Sequence, residues 1–139
     1  MKIAVALCAT ALWAATVPGG TPTATAEAAA ESAALTWLGL VDAGNYAKSW
    51  SSASTMFRQK VSQSQWQSAA ASARAPFGAL RSRTLQSATA KSALPGAPDG
   101  QYMVLQFASS FEHKASAIET VTPMMDTDGQ WHVSGYYIK

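Results

Sequence analysis

General acid–base chemistry needs titratable side chains that converge on a pocket, and this 139-residue chain offers few: His113, His132, eight carboxylates and ten lysines and arginines. Glu119 stands out because it lies mid-strand among apolar and β-branched residues, between Ile118 and Thr120-Val121. A carboxylate buried there requires a cationic partner, for which Arg81 and Arg83 are the candidates, or a raised pKa. Its face depends on the last hairpin. With a four-residue turn over Asp126–Gly129, Met125 pairs with Gln130 and Glu119 falls opposite Tyr136, on the His132 face. With a bulge absorbing Gly129, Met125 pairs with Trp131 and Glu119 falls opposite Tyr137, on the Trp131 face.

The remaining chemical signals are weaker. His113 sits in the turn Glu112-His113-Lys114 and reads as exposed, and His132 reads as a sheet-face residue. Arg81 and Arg83 alternate on one strand, a pattern that suits an anionic ligand or partner and equally suits protection of a sheet edge. Asp126-Thr127-Asp128-Gly129 resembles the start of a calcium loop, but no bidentate Glu follows at the required distance, so no metal is expected. Val133-Ser134-Gly135 lacks the preceding glycine of a nucleophile elbow, and no phosphate-cradling glycine loop is visible. No cofactor is expected, and the reading leans against an enzyme. The candidate ligand or partner contacts are Arg81, Arg83, Glu119, Trp131, His132 and Tyr137.

The elements that must position these residues divide near Pro76-Phe77-Gly78 into a helical half and a strand-like half, the pattern of an α+β domain. Ala34, Trp37, Leu38 and Val41 define the buried stripe of a helix over Ala28–Ala43, ended by Gly44. Asn45 caps a second helix, with Tyr46, Trp50, Ala53 and Phe57 in phase, to about Lys60. Ser62-Gln63-Ser64-Gln65 is a capping box for a third, Gln63–Ala75, with Trp66, Ala70 and Ala73 on one face. The three tryptophans read as core anchors, each able to bury roughly 150–250 Å².

From Leu80 the period changes to two. A polar edge strand, Leu80–Ala90, places Arg81, Arg83, Leu85 and Ser87 on one face. The turn-rich stretch Leu94–Gly100 is a hairpin loop. Tyr102–Phe111 is a half-buried strand with Met103, Leu105, Phe107 and Phe111 inward. Strands Ala115–Met125 and Gln130–Ile138 follow, joined through Asp128-Gly129. Three helices on a four-stranded antiparallel meander is the expected fold.

Residues 1–26 read as a secretory signal peptide: a positive start at Lys2, an uncharged run Ile3–Val17, and an A-x-A site at Ala24-Thr25-Ala26. The apolar run of about 15 residues is shorter than the roughly 20 of a spanning helix, and Leu7-Cys8 comes too early for lipid attachment. Export to the periplasm or outside the cell is expected, leaving a single α+β domain over 27–139 with no membrane span. Cys8, the one cysteine, leaves with the leader, so the expected mature chain has no disulfide or thiolate chemistry. Without Lys2 the balance is nine Lys and Arg against eight Asp and Glu, which argues against nucleic acid as a partner.

Several strings together resemble a known family: Trp37-Leu38, Val41-Asp42-Ala43-Gly44-Asn45-Tyr46, Arg74-Ala75-Pro76-Phe77-Gly78, Leu94-Pro95-Gly96-Ala97-Pro98-Asp99-Gly100, Asp128-Gly129-Gln130-Trp131 and Gly135-Tyr136-Tyr137-Ile138. The chain resembles members of the bacterial family catalogued as domain of unknown function 4019, which brings no activity, cofactor or catalytic residue with it. The resemblance implies a small exported domain, and its helices-then-curved-sheet order is similar to the cystatin-like and NTF2-like cone folds. Two functions are carried forward. The first is a non-catalytic binding or protein-interaction module of the cell envelope. The second is a small-molecule or enzymatic pocket lined by Trp131 and Tyr137, with Glu119 as its polar group.

Overall fold

The computed structural model describes residues 22–139, in which four helices precede a four-stranded antiparallel sheet. Met1–Val17, on which the expected leader rests, lies outside the described residues. The expected cleavage point after Ala26 falls within the first helix, α1 (Pro22–Asp42). This helix starts earlier than its buried stripe predicts, because the alanine-rich run from Ala24 to Ala34 favours helix even where little is buried. Its stripe of Ala30, Ala34, Trp37, Leu38 and Val41 is buried. At its end Gly44, at φ +73°, donates to the Val41 carbonyl, and the Asn45 N–H reaches back to the Leu40 carbonyl at 2.8 Å. This paired closure needs a left-handed residue, which glycine adopts without a Cβ clash.

The single helix expected over Tyr46–Lys60 is in fact two, α2 (Tyr46–Ser51) and α3 (Thr55–Lys60). The break has two causes. The Ser54 N–H leaves the helical ladder to bond the Val133 carbonyl of the last strand at 2.8 Å, and the Ser54 hydroxyl caps the new helix by accepting from Phe57 N–H. The fourth helix, α4 (Gln63–Arg74), opens on the Ser62/Gln65 capping box. Its inward stripe runs Trp66, Ala70, Arg74, whereas Ala73 faces solvent.

Strands β1 (Leu80–Lys91), β2 (Tyr102–Phe111), β3 (Lys114–Met125) and β4 (Trp131–Ile138) form a meander in the order β1-β2-β3-β4. Four register shifts interrupt the pairing: one lies beside the β2–β3 turn, between Ser109 and Phe111, and the other three are one-residue bulges that decide which side chains face the helices. Those at Arg81 and Gln86 re-phase β1, so that Arg83, Leu85 and Ala88 turn inward while Arg81 and Ser87 stay exposed. The third, at Ser134, lies between Pro123↔Val133 and Thr122↔Gly135. Met125 pairs with Trp131, as in the second register above, but the bulge moves Glu119 on to Ile138 and brings Tyr136 rather than Tyr137 onto the inner face.

The core fills the space between helices and sheet. Trp37 and Trp66 lie with ring centroids 5.4 Å apart and planes tilted by 35°, and Phe57 meets Trp66 edge-on at 5.3 Å. Their polar ends are matched at Ser49, which is fully buried: its carbonyl accepts from Trp37 Nε1 at 2.9 Å and its hydroxyl from Trp66 Nε1 at 2.8 Å. Trp50 is partly buried and donates to the Val61 carbonyl. Beneath them lie Met103, Leu105, Phe107, Val121 and Val133. Each such large side chain contributes about 1.5–3 kcal/mol by leaving water. Among the described residues no helix is long and apolar enough to cross a membrane.

Candidate functional site

Two places gather the residues able to do chemistry. The first is a buried ion cluster at the C-terminal end of α1, fed by one side chain from each of six elements. Arg83 of β1 donates through Nη1 and Nη2 to the two oxygens of Asp42 on α1, at 2.8 and 3.0 Å, and through Nε to Glu119 Oε1 on β3 at 2.8 Å. Arg74 of α4 donates to Asp42 Oδ1 at 2.8 Å and stacks over Phe111, 4.8 Å from its centroid. Ser109 of β2 donates to Glu119 Oε1 at 2.6 Å, and Tyr136 of β4 donates to Oε2 at 2.5 Å. Glu119 is wholly buried.

Two guanidiniums balance two carboxylates, so the cluster carries no net charge. Burial pushes the Asp42 carboxyl up, but hydrogen bonds from Arg83 and Arg74 outweigh this and hold it below its ordinary range. Burial and the adjacent Glu119 charge push the Tyr136 phenol well above the ordinary tyrosine range. Glu119 accepts from three side chains of its own fold, two at Oε1 and one at Oε2. Its chemistry is that of a structural acceptor. Arg74 Nε and Nη1 find no hydrogen-bond partner among the described residues, and Nη1 lies 4.0 Å from Glu119 Oε2.

The second place is a groove of about 640 Å³ between the outer flank of α1 and the β3–β4 turn. Trp37, Leu40, Trp131 and Val133 supply apolar lining, and Lys48 and His132 supply cationic or titratable groups. The turn forming one wall is tied to the α2–α3 junction. Asp126 Oδ2 accepts from the Thr55 N–H at 2.8 Å and from its hydroxyl at 3.1 Å. The backbone N–H contributes most to holding the Asp126 carboxyl below its ordinary range. His132 reaches the Ser52 carbonyl with Nδ1 and Asp128 with Nε2. The groove is largely apolar with a few polar groups at its edge, and its volume lies within the roughly 300–1,000 Å³ range of ligand clefts.

The six candidate residues are therefore scattered. Arg83 and Glu119 meet in the ion cluster, and Trp131 and His132 share the groove. Arg81 stands exposed on its bulge, and Tyr137 is 62% exposed on the outer face of the sheet. A pocket built from Trp131, Tyr137 and Glu119 is not what the fold assembles, because the Ser134 bulge separates Tyr137 from the inner face. Asp42, Arg74, Ser109 and Tyr136 were missed. Three carried a readable signal: Arg74 continues the Trp66, Ala70 stripe, Ser109 lies between inward Phe107 and Phe111, and Asp42 follows Leu38 by four. Tyr136 was placed opposite Glu119 in the first register above, but on the outer face; the bulge at Ser134 turns it inward. Among the described residues no group of three or more His, Cys, Asp or Glu could hold a metal ion.

Fold and site define a small α+β protein with an antiparallel sheet, a closed ion cluster and an open groove. The chain belongs to the family described as protein of unknown function (DUF4019), whose model matches residues 33–136. No curated protein and no solved structure matches it.

Proposed function

We propose that the protein is an exported, non-catalytic binding module of the cell envelope, and that the groove between α1 and the β3–β4 turn is where its ligand sits. The observation that carries this reading is the contrast between the two sites. The ion cluster is closed by its own hydrogen bonds, whereas the 640 Å³ groove opens to solvent and offers indole surface beside Lys48 and His132. Apolar area next to a few polar groups supports affinity with orientation. The expected leader, Lys2 with Ile3–Val17 and Ala24-Thr25-Ala26, supports export. The alternative with Glu119 as the ligand's polar partner is disfavoured, since three donors already occupy that carboxylate.

Native mass spectrometry of the protein from the periplasmic fraction of its host tests the reading. The expected result is an added mass, of small-molecule or short-peptide size, that disappears on denaturation. Trp131→Ala should lose this mass, and so should Thr36→Trp, which fills the groove from the exposed side of α1. A bare wild-type monomer, or an added mass retained by both variants, would remove the groove from consideration.

A further inference from the structure

His132 is held between two groups that can only accept. Its Nδ1 lies 3.1 Å from the Ser52 carbonyl oxygen, and its Nε2 lies 2.7 Å from Asp128 Oδ2. A neutral imidazole has one N–H, so it can satisfy one of these acceptors and presents a lone pair to the other. Both contacts hold together only when the ring carries both protons. We infer that His132 is a proton-operated latch at the edge of the groove: the imidazolium links Asp128 of the β3–β4 turn to Ser52 at the end of α2, and loss of one proton frees Asp128 while Asp126 stays bound to Thr55.

The surroundings say which contact yields. The Ser52 carbonyl belongs to the C-terminal cap of α2 and is held by the backbone there, where the Ser52 N–H bonds the Lys48 carbonyl. Asp128 is a turn residue with its side chain 53% exposed, free to exchange the ring for water. A neutral His132 therefore keeps Nδ1–H on Ser52 and releases Asp128. Gly129 and Gln130, the next two residues, both line the groove. The Gln130 N–H also bonds Asp128 Oδ1 at 2.9 Å, so a released Asp128 loosens that wall.

Acidic and basic groups both face the ring. Asp126 and Asp128 approach from the turn, Lys48 of α2 shares the groove, and α1 contributes only uncharged residues such as Ser32 and Thr36 to its lining. The hydrogen bond with His132 is the largest influence holding the Asp128 carboxyl below its ordinary range. The consequence for ligand entry rests on the groove reading above; the latch itself does not.

NMR of the ligand-free protein between about pH 5 and 8, the interval in which histidine switches, tests the latch alone. The His132 ring signals and the Gly129 and Gln130 amides should move in one common transition. On its alkaline side Gln130 amide exchange should exceed the intrinsic base-catalysed rise by about tenfold or more, as expected for one lost charge-assisted hydrogen bond. His132→Gln should abolish the Gly129 and Gln130 transition, His113→Gln should preserve it, and in Asp128→Asn the ring should titrate without the amides following. Amides that stay still while the ring titrates, or that move unchanged in His132→Gln, would overturn the latch. A failed search for bound mass would leave it standing, because no ligand is used.

Discussion

Removing the Arg83 side chain would strip Asp42 of two hydrogen bonds and Glu119 of its nearest cation, leaving Arg74 as the one guanidinium against two carboxylates. Breaking such a pair typically costs about 3–5 kcal/mol, so Arg83→Ala should lower the urea midpoint sharply. Arg81→Ala, two residues earlier on its exposed bulge, should stay within about 0.5 kcal/mol of wild type. Equal midpoints for the two variants would mean that the cluster contributes nothing to stability. Both arginines were legible as a pair from their alternation, but their spacing left open which of them meets Glu119; Arg83 is the one that does. Their opposite faces were not legible, because a one-residue bulge against β2 separates them and only pairing with a second strand creates a bulge. Asp42 and Arg74 were within reach of the helical period; a charged residue on an apolar stripe is easily assigned to the surface when its partner lies on another element.

At the scale of elements, local chemistry wrote most boundaries. Ser62 and Gln65 form the capping box read from their spacing, Gly44 ends α1 in the left-handed conformation, and Asp128-Gly129 turns the last hairpin. The α2–α3 break was harder, because four of the five residues from Ser51 to Thr55 carry hydroxyls and any of several could cap. The choice falls on Ser54 since its N–H meets the Val133 carbonyl, far along the chain. Ser54→Ala should therefore cost about 1 kcal/mol, the usual value of a lost N-cap. Thermal or chemical denaturation would read this directly; an unchanged midpoint would show that the strand contact alone sets the break. Gly78 is likewise left-handed, at φ +74°, and a Cβ there would also displace the exposed His113 ring.

For the whole molecule the ion cluster joins α1, α4 and all four strands, so its protonation should be felt as global stability. The depressed Asp42 carboxyl contributes stability that is present above the ordinary carboxylate value of 3.8 and lost as pH falls through its folded value. The raised Tyr136 phenol contributes stability that is fully present below its ordinary value of 10.0 and lost as pH rises beyond it. The urea midpoint should thus fall at both ends of the pH scale, and Tyr136→Phe should reduce the alkaline loss. If wild type and Tyr136→Phe decline in parallel above pH 10, the phenol plays no such part. The sequence by itself determined the α+β class, the order of helices and strands, the tryptophan core and membership of the family, since periodicity, caps and turns act over a few residues. Tertiary structure decided the three bulges, the split between α2 and α3, the meeting of Asp42, Arg74, Arg83 and Glu119, and the groove beside His132. Each of these depends on which backbone or charge arrives from elsewhere in the chain, and no local pattern carries that information.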